Sequence, residues 1–207
     1  HMSRGSYRDY LVGLLEGERI EKNELGLKGL FILQPEVFRD ERGFFMETWN
    51  TRKYGQLGLL TTFVQDIFPV FQGNLRRLHY QKPHTQGKLV YVLEGKVWDC
   101  SVDLRLDSPT FGKWAAIILD SDSGSQLYIP PGFAHGFCTL SEEALFFYKC
   151  TDFYSPDDER GIAWNDPQLN INWPVSNPLL SPKDRNYPNL REVLPGGLFR
   201  MADSRTC

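Results

Sequence analysis

The chain has 207 residues, 41% of them apolar, enough for one substantial core, and its 23 basic against 26 acidic residues leave a net charge of −3. That balance offers no broad cationic face for a phosphate backbone and argues against nucleic acid as a partner. No run approaches 18 consecutive apolar residues and the first residues lack the basic-then-apolar layout of a signal peptide, so neither a membrane span nor export is expected and a soluble cytoplasmic protein is.

His1-Met2 reads as a cloning remnant. Tyr7, Tyr10, Leu11, Leu14 and Leu15 recur at helical spacing beside Arg8, Asp9, Glu16 and Glu18, which predicts an amphipathic helix within residues 7–24. From Gly26 the texture changes to short apolar or alternating runs: Leu30–Leu33, Phe44–Trp49, Lys88–Leu93, Lys96–Leu104, Trp114–Leu119, Gln126–Ile129 and Ala144–Cys150. Glu94-Gly95, Asp107-Ser108-Pro109, Ser121–Gly124 and Pro130-Pro131-Gly132 punctuate them. Such close spacing leaves no room for helical crossovers and predicts an all-β sandwich or barrel. Residues 155–200, rich in Pro, Asn and Asp with scattered Leu and Trp, read as long connections laid over that body. The expected organisation is a remnant plus N-terminal helix over 1–25, one domain over 26–190 and a C-terminal tail over 191–207.

Alternation assigns faces. In Lys96–Leu104, Trp98, Cys100, Val102 and Leu104 share one side and Asp99, Ser101 and Asp103 the other, and the acidic side reads as solvated. In Ala144–Cys150 both sides are largely apolar, so this strand is expected to be central, with the Tyr148 hydroxyl in need of a partner or a cavity. Cys100, Cys138, Cys150 and Cys207 show no C-x-x-C spacing and read as structural or incidental. His79 and His135 are each weak signals alone; the Gln86-Gly87-Lys88 run, Tyr148 and Ser181-Pro182-Lys183-Asp184 give them company.

The ordered runs Asp40–Glu47, Phe63–Asp66, Leu78–Gln81, Gln86–Val90, Asp107–Trp114, Pro131–Phe137 and Phe147–Thr151 resemble the dTDP-4-dehydrorhamnose 3,5-epimerase family over about residues 29–187. The resemblance implies a cupin-type jelly-roll barrel, here with an N-terminal helix and a C-terminal extension. It implies a homodimer acting on a nucleotide-linked 4-keto-6-deoxyhexose, with no metal and no organic cofactor. A 4-keto group acidifies the hydrogens on C3 and C5; a base that removes one leaves an enolate, and a proton returned from the opposite face inverts the centre. Carried over residue by residue, the base is His79, held by Asp184; Lys88 places an ammonium against the developing enolate oxygen; Tyr148 is the opposite-face acid. The same matching assigns substrate holding to Arg42, Glu47, Gln65, Asp66, Arg76, His135, Glu159 and Lys183, arginine suiting a diphosphate through its fork.

The chain departs from the family pattern at the rim. Arg77 stands where the family usually has Gly before the Leu-His pair; strict alternation would put it on the side of His79, with Arg76 opposite. Ile67-Phe68-Pro69 replace the polar residues that normally follow Gln-Asp, and Phe153 replaces a tyrosine, with Tyr154 kept. These changes leave base, aspartate, lysine and acid in place and alter residues expected to contact nucleotide or sugar. Three alternatives stand beside this reading: an epimerase of a single centre or of another nucleotide sugar, a metal-dependent cupin using His79, His84 and His135, and a non-catalytic sugar-nucleotide binding module. The second lacks the His-x-His and nearby Glu that a cupin metal site uses.

Overall fold

A computed structural model describes residues 20–72, 75–175, 186–193 and 195–204. The expected helix lies outside these residues as far as 19, and its last part is a strand instead, β1 (Glu21–Glu24). Then follow β2 (Phe31–Gln34), β3 (Val37–Asp40), β4 (Gly43–Met46), α1 (Thr51–Gln56), β5 (Gln65–Ile67), β6 (Val70–Gln72) and β7 (Leu75–Gln81). The second half holds β8 (Lys88–Glu94), β9 (Lys96–Asp103), β10 (Trp114–Asp120), β11 (Gln126–Ile129), β12 (Phe133–Thr139), β13 (Glu143–Cys150) and β14 (Glu159–Gly161). All pairings between these strands are antiparallel. One sheet runs β1-β2-β11-β8-β13-β5, with β6 also on β13; the other runs β10-β9-β12-β7-β14; β3 and β4 form a separate hairpin. The two sheets face each other as a jelly roll, the cupin-type architecture. Turn chemistry sets the corners. Gly95, between β8 and β9, has φ +81°, and a Cβ there would meet the Glu143 carbonyl oxygen at 2.3 Å, so only glycine fits.

Three apolar clusters hold the body. Val90 and Val92 of β8, Leu127 and Ile129 of β11 and Phe146 of β13 meet Val97, Leu119, Phe133 and Phe137 of the facing sheet. Full burial of a side chain such as Phe146 contributes about 2–3 kcal/mol. A second cluster covers the outside of the smaller sheet: Leu78, Tyr80, Val102, Leu104 and Ala134 pack under Ile162, Leu169, Leu190, Leu198 and Phe199. A third covers the outside of the larger sheet, where Leu33, Leu89 and Tyr128 meet Tyr54 and Leu59. Tyr54 is brought there by α1, whose N-cap Asn50 accepts from the backbone of Arg52 and Lys53 at 3.1 and 3.2 Å.

The second cluster overturns one expectation. The apolar side of β9 is buried by the connections and the C-terminal extension, and its polar side turns into the barrel, where Asp99, Ser101 and Asp103 are fully buried. Asp103 is satisfied there by its own turn. It accepts from Arg105 Nε and Nη2, both at 2.8 Å, from Ser108 Oγ at 2.6 Å and from Thr110 Oγ1 at 2.7 Å. Burial alone would raise its carboxyl, but these donors outweigh burial and hold it below the usual carboxylate value. The residues expected as a tail carry Leu198 and Phe199 into this body.

Candidate active site

One cavity of about 320 Å³ opens between the sheets at the end lined by β5, β7, β8, β12, β13 and β14. Arg76, His79, Lys88, His135, Tyr148 and Glu159, all singled out in the sequence, line it together. Lys88 and Tyr148 rise from the larger sheet, and Arg76, His79, His135 and Glu159 from the smaller one.

The placement of Arg76 corrects the alternation argument. On β7, Arg76 and His79 are three residues apart, yet their β12 partners Phe137 and His135 are two apart, so β7 holds one extra residue in a bulge. The bulge takes up the odd spacing and lets Arg76 and His79 reach the same cavity. It falls at Arg77-Leu78; the Arg77 side chain lies outside the described residues.

His79 sits directly across from His135 on β12 and from Gly161 on β14. Its Nε2 is 3.9 Å from Glu159 Oε1, and its ring meets Tyr187 edge-on at 5.6 Å. Glu159 accepts from Tyr154 Oη at 2.5 Å and from Tyr187 Oη at 3.1 Å, and the first of these bonds pushes the Tyr154 phenol up to about 12. A Cβ on Gly161 would strike the Tyr187 ring at 2.6 Å, so glycine there admits the ring beside His79.

Lys88 lies opposite Cys150 across β8 and β13, with its ammonium 6.0 Å from the centre of the Tyr148 ring. Burial pulls the amine below the ordinary lysine value against the opposing pull of Cys150, Asp99 and Glu159. Burial also raises the Tyr148 phenol, which therefore stays protonated through the neutral range. On the facing sheet, His135 Nε2 is 2.7 Å from Asp99 Oδ2, both side chains being buried. Asp99 was missed in the sequence because alternation placed it on a solvated side; the signal that could have found it is its strand partner, Phe137, two residues from His135.

A family model for dTDP-4-dehydrorhamnose 3,5-epimerase matches residues 24–192. The chain belongs to this family. A dTDP-4-dehydrorhamnose 3,5-epimerase of Shigella flexneri is 53% identical over 160 residues, covering 76% of this chain and 88% of that protein. The crystal structure of the Legionella pneumophila Philadelphia 1 dTDP-6-deoxy-D-glucose-3,5-epimerase in complex with dTDP-4-keto-L-rhamnose superposes with a TM-score of 0.85 at 46% identity, covering 88% of this chain and 98% of that one. A 4-keto-6-deoxy sugar epimerase from the novobiocin biosynthetic gene cluster of Streptomyces spheroides does so with a TM-score of 0.85 at 34% identity, over 91% and 97%.

Other residues that the family resemblance singles out lie away from this cavity. Arg42, at the tip of the β3–β4 hairpin, is exposed and paired with Asp40. Glu47 pairs with Lys53 Nζ at 2.8 Å and accepts from Asn50 at 3.0 Å. Gln65 Oε1 accepts from the Tyr154 backbone at 3.0 Å, and Asp66 holds Lys149 Nζ at 2.7 Å on the outer side of the sheet. Lys183 and Asp184 lie outside the described residues. Two of the departures from the family pattern do line the cavity: Ile67, directly opposite Tyr148 across β5 and β13, and Pro69. Phe153 stands 62% exposed. His84 is engaged on the surface by Asp158, away from the other histidines, and among the described residues no three His, Cys, Asp or Glu are grouped to hold a metal ion. No helix of the described residues is long and apolar enough to cross a membrane.

Proposed function

We propose that this chain is an isomerase that inverts C3, C5 or both in a nucleotide-linked 4-keto-6-deoxyhexose. The observation that carries this is that His79 enters the cavity from one sheet while Tyr148 and Lys88 enter from the other, so a sugar ring lying between the sheets is approached on both faces. His79 removes a proton from a carbon beside the ketone, and the electron pair of that C–H bond moves onto the C4 oxygen. Lys88 holds an ammonium at this oxygen in a site of low dielectric, where preorganised charge acts most strongly. Tyr148 then delivers a proton from the opposite side and the enolate collapses to the ketone with the centre inverted. Asp184 orients His79 in this reading, and Arg76 takes a phosphate of the nucleotide through its fork. Every proton is carried by a side chain, so the scheme calls on no metal and no organic cofactor.

The reading includes a homodimer in the cytoplasm. The β3–β4 hairpin forms its own small sheet with Phe44 and Phe45 exposed at 53% and 46%, an apolar surface that a second copy would cover. Arg42 lies on that hairpin and Glu47 just beyond it. Free buried thiols at Cys100, Cys138 and Cys150 suit a reducing compartment. The test is incubation of the protein in deuterated water with a panel of nucleotide-linked 4-keto-6-deoxyhexoses, followed by proton NMR. Deuterium at C3, C5 or both is expected; uptake at one carbon alone makes it a single-centre epimerase, and uptake at neither, in any sugar of the panel, refutes the proposal.

A further inference from the structure

We infer that Asp99 is a positioning residue that fixes the tautomer of His135, leaving His135 Nδ1 toward the cavity as an acceptor for a sugar hydroxyl. The ligand class rests on the function proposed above; the tautomer does not.

An ionised carboxylate only accepts, and Asp99 Oδ2 lies 2.7 Å from His135 Nε2. The bond therefore requires a proton on Nε2, and in the neutral ring Nδ1 then keeps its lone pair. Among the described residues nothing hydrogen-bonds Nδ1, and the ring lines the cavity. On the facing sheet, the charge of Asp99 raises the proton affinity of Lys88 against the stronger pull of burial. The remaining charged or titratable groups around the cavity are Arg76, His79 and Tyr80 on β7, Tyr148 and Cys150 on β13, Tyr154, and Glu159 on β14.

A second observation separates this pair from a packing feature. Asp99 Oδ1 and Ser101 Oγ are both buried without a partner among the described residues, on the same inward side of β9, and Ser101 lies directly opposite His135. Orphaned polar atoms in a core are costly, and a pair retained only to satisfy the fold would not leave two beside it. The polarity has a chemical consequence. Lys88 only donates and takes the ketone oxygen, whereas His135 held by Asp99 accepts and takes a hydroxyl. The two contacts together orient the sugar ring, because exchanging ketone and hydroxyl would set two acceptors, the ketone oxygen and His135 Nδ1, against each other.

The first measurement needs no variant at position 99. Long-range proton–nitrogen correlation spectra of the full chain labelled at histidine nitrogens report each ring's tautomer, with His135→Gln assigning the resonance. At neutral pH, His135 with its proton on Nε2 is expected; a proton on Nδ1, alone or together with Nε2, overturns the inference. The second is Asp99→Leu, which removes the acceptor without adding charge. It is expected to give a mixture of tautomers and to raise KM by about tenfold to a hundredfold, the scale of one buried hydrogen bond, with a smaller change in kcat. A folded Asp99→Leu protein with unchanged tautomer and KM overturns it as well. Should the parent turn over no 4-keto sugar, the proposed function fails while the spectrum still decides the role of Asp99.

Discussion

Lys88→Met separates what this side chain does for the reaction from what it costs the fold. Methionine is unbranched and of similar reach, so it fills the space opposite Cys150 without the charge. Among the described residues no hydrogen bond compensates the ammonium of this half-buried side chain, and desolvation lowers its proton affinity in the folded chain from the ordinary value of 10.5. Between the folded value and 10.5 the unfolded chain binds more protons, so the parent's stability should rise with pH through that window; below it the full cost of the buried charge applies. Removing the charge should stabilise the chain at pH 7 by about 1 kcal/mol, roughly 2–4 °C in melting temperature for a chain of this size, and erase the alkaline rise. Turnover should fall by about 10²–10³, the cost of deleting one preorganised oxyanion partner. The assay is thermal unfolding at pH 7 and pH 10 alongside the rate of deuterium uptake into the sugar. A variant that keeps more than a tenth of the parent's turnover, or that melts several degrees lower at pH 7, would refute the assignment and make Lys88 a structural residue.

Tyr148→Phe should fold normally and still exchange a sugar proton through His79, while inversion falls about a hundredfold or more; the ratio of exchange to epimerisation, read by NMR, should therefore rise, and an equal fall in both would deny Tyr148 the role of opposite-face acid. Arg105→Met should cost about 3–5 kcal/mol in urea unfolding, because it strips the buried Asp103 carboxylate of its cation. The depressed Asp103 carboxyl contributes stability that is full above its unfolded value and lost as pH falls through its folded one, so this variant should lose the parent's steep acid limb; a parent-like acid profile would show that the pair contributes nothing. Ile67→Asn, which puts an amide beside Tyr148, should shift kcat/KM among nucleotide sugars relative to the parent; a preference that stays put would exclude Ile67 from substrate contact.

The all-β class and the β8, β9, β10, β11 and β13 strands were legible because their apolar runs are long and bounded by Gly, Pro and Asp turns. Strands β5, β6 and β14 were not: each is three residues long, too short for a period to register. Helix α1 escaped for a related reason, since six residues give less than two turns of periodicity, and its capping by Asn50 had to stand alone as a signal. The gathering of His79, Lys88, Tyr148, His135, Arg76 and Glu159 around one cavity was accessible only through the family resemblance, because those positions are spread over β7, β8, β12, β13 and β14 and alternation within one strand carries no information about another.

Strand β9 shows why local pattern and burial can point in opposite directions. A strand with Trp98, Cys100, Val102 and Leu104 on one side and Asp99, Ser101 and Asp103 on the other looks like a half-solvated edge, because water is the cheapest place for carboxylates. That inference holds only if the polar side has no better partner. Here Asp103 has Arg105, Ser108 and Thr110, and Asp99 has His135, so both carboxylates are placed inside the barrel. The apolar side then needs cover of its own, which the long connections and the C-terminal extension supply through Leu169, Trp173, Leu198 and Phe199. The extension is thus tied to the site. By helping to bury the apolar side of β9, it lets the opposite side of the same strand carry a buried carboxylate toward the cavity, and a chain cut before Leu198 would lose the part of that cover that Leu198 and Phe199 supply.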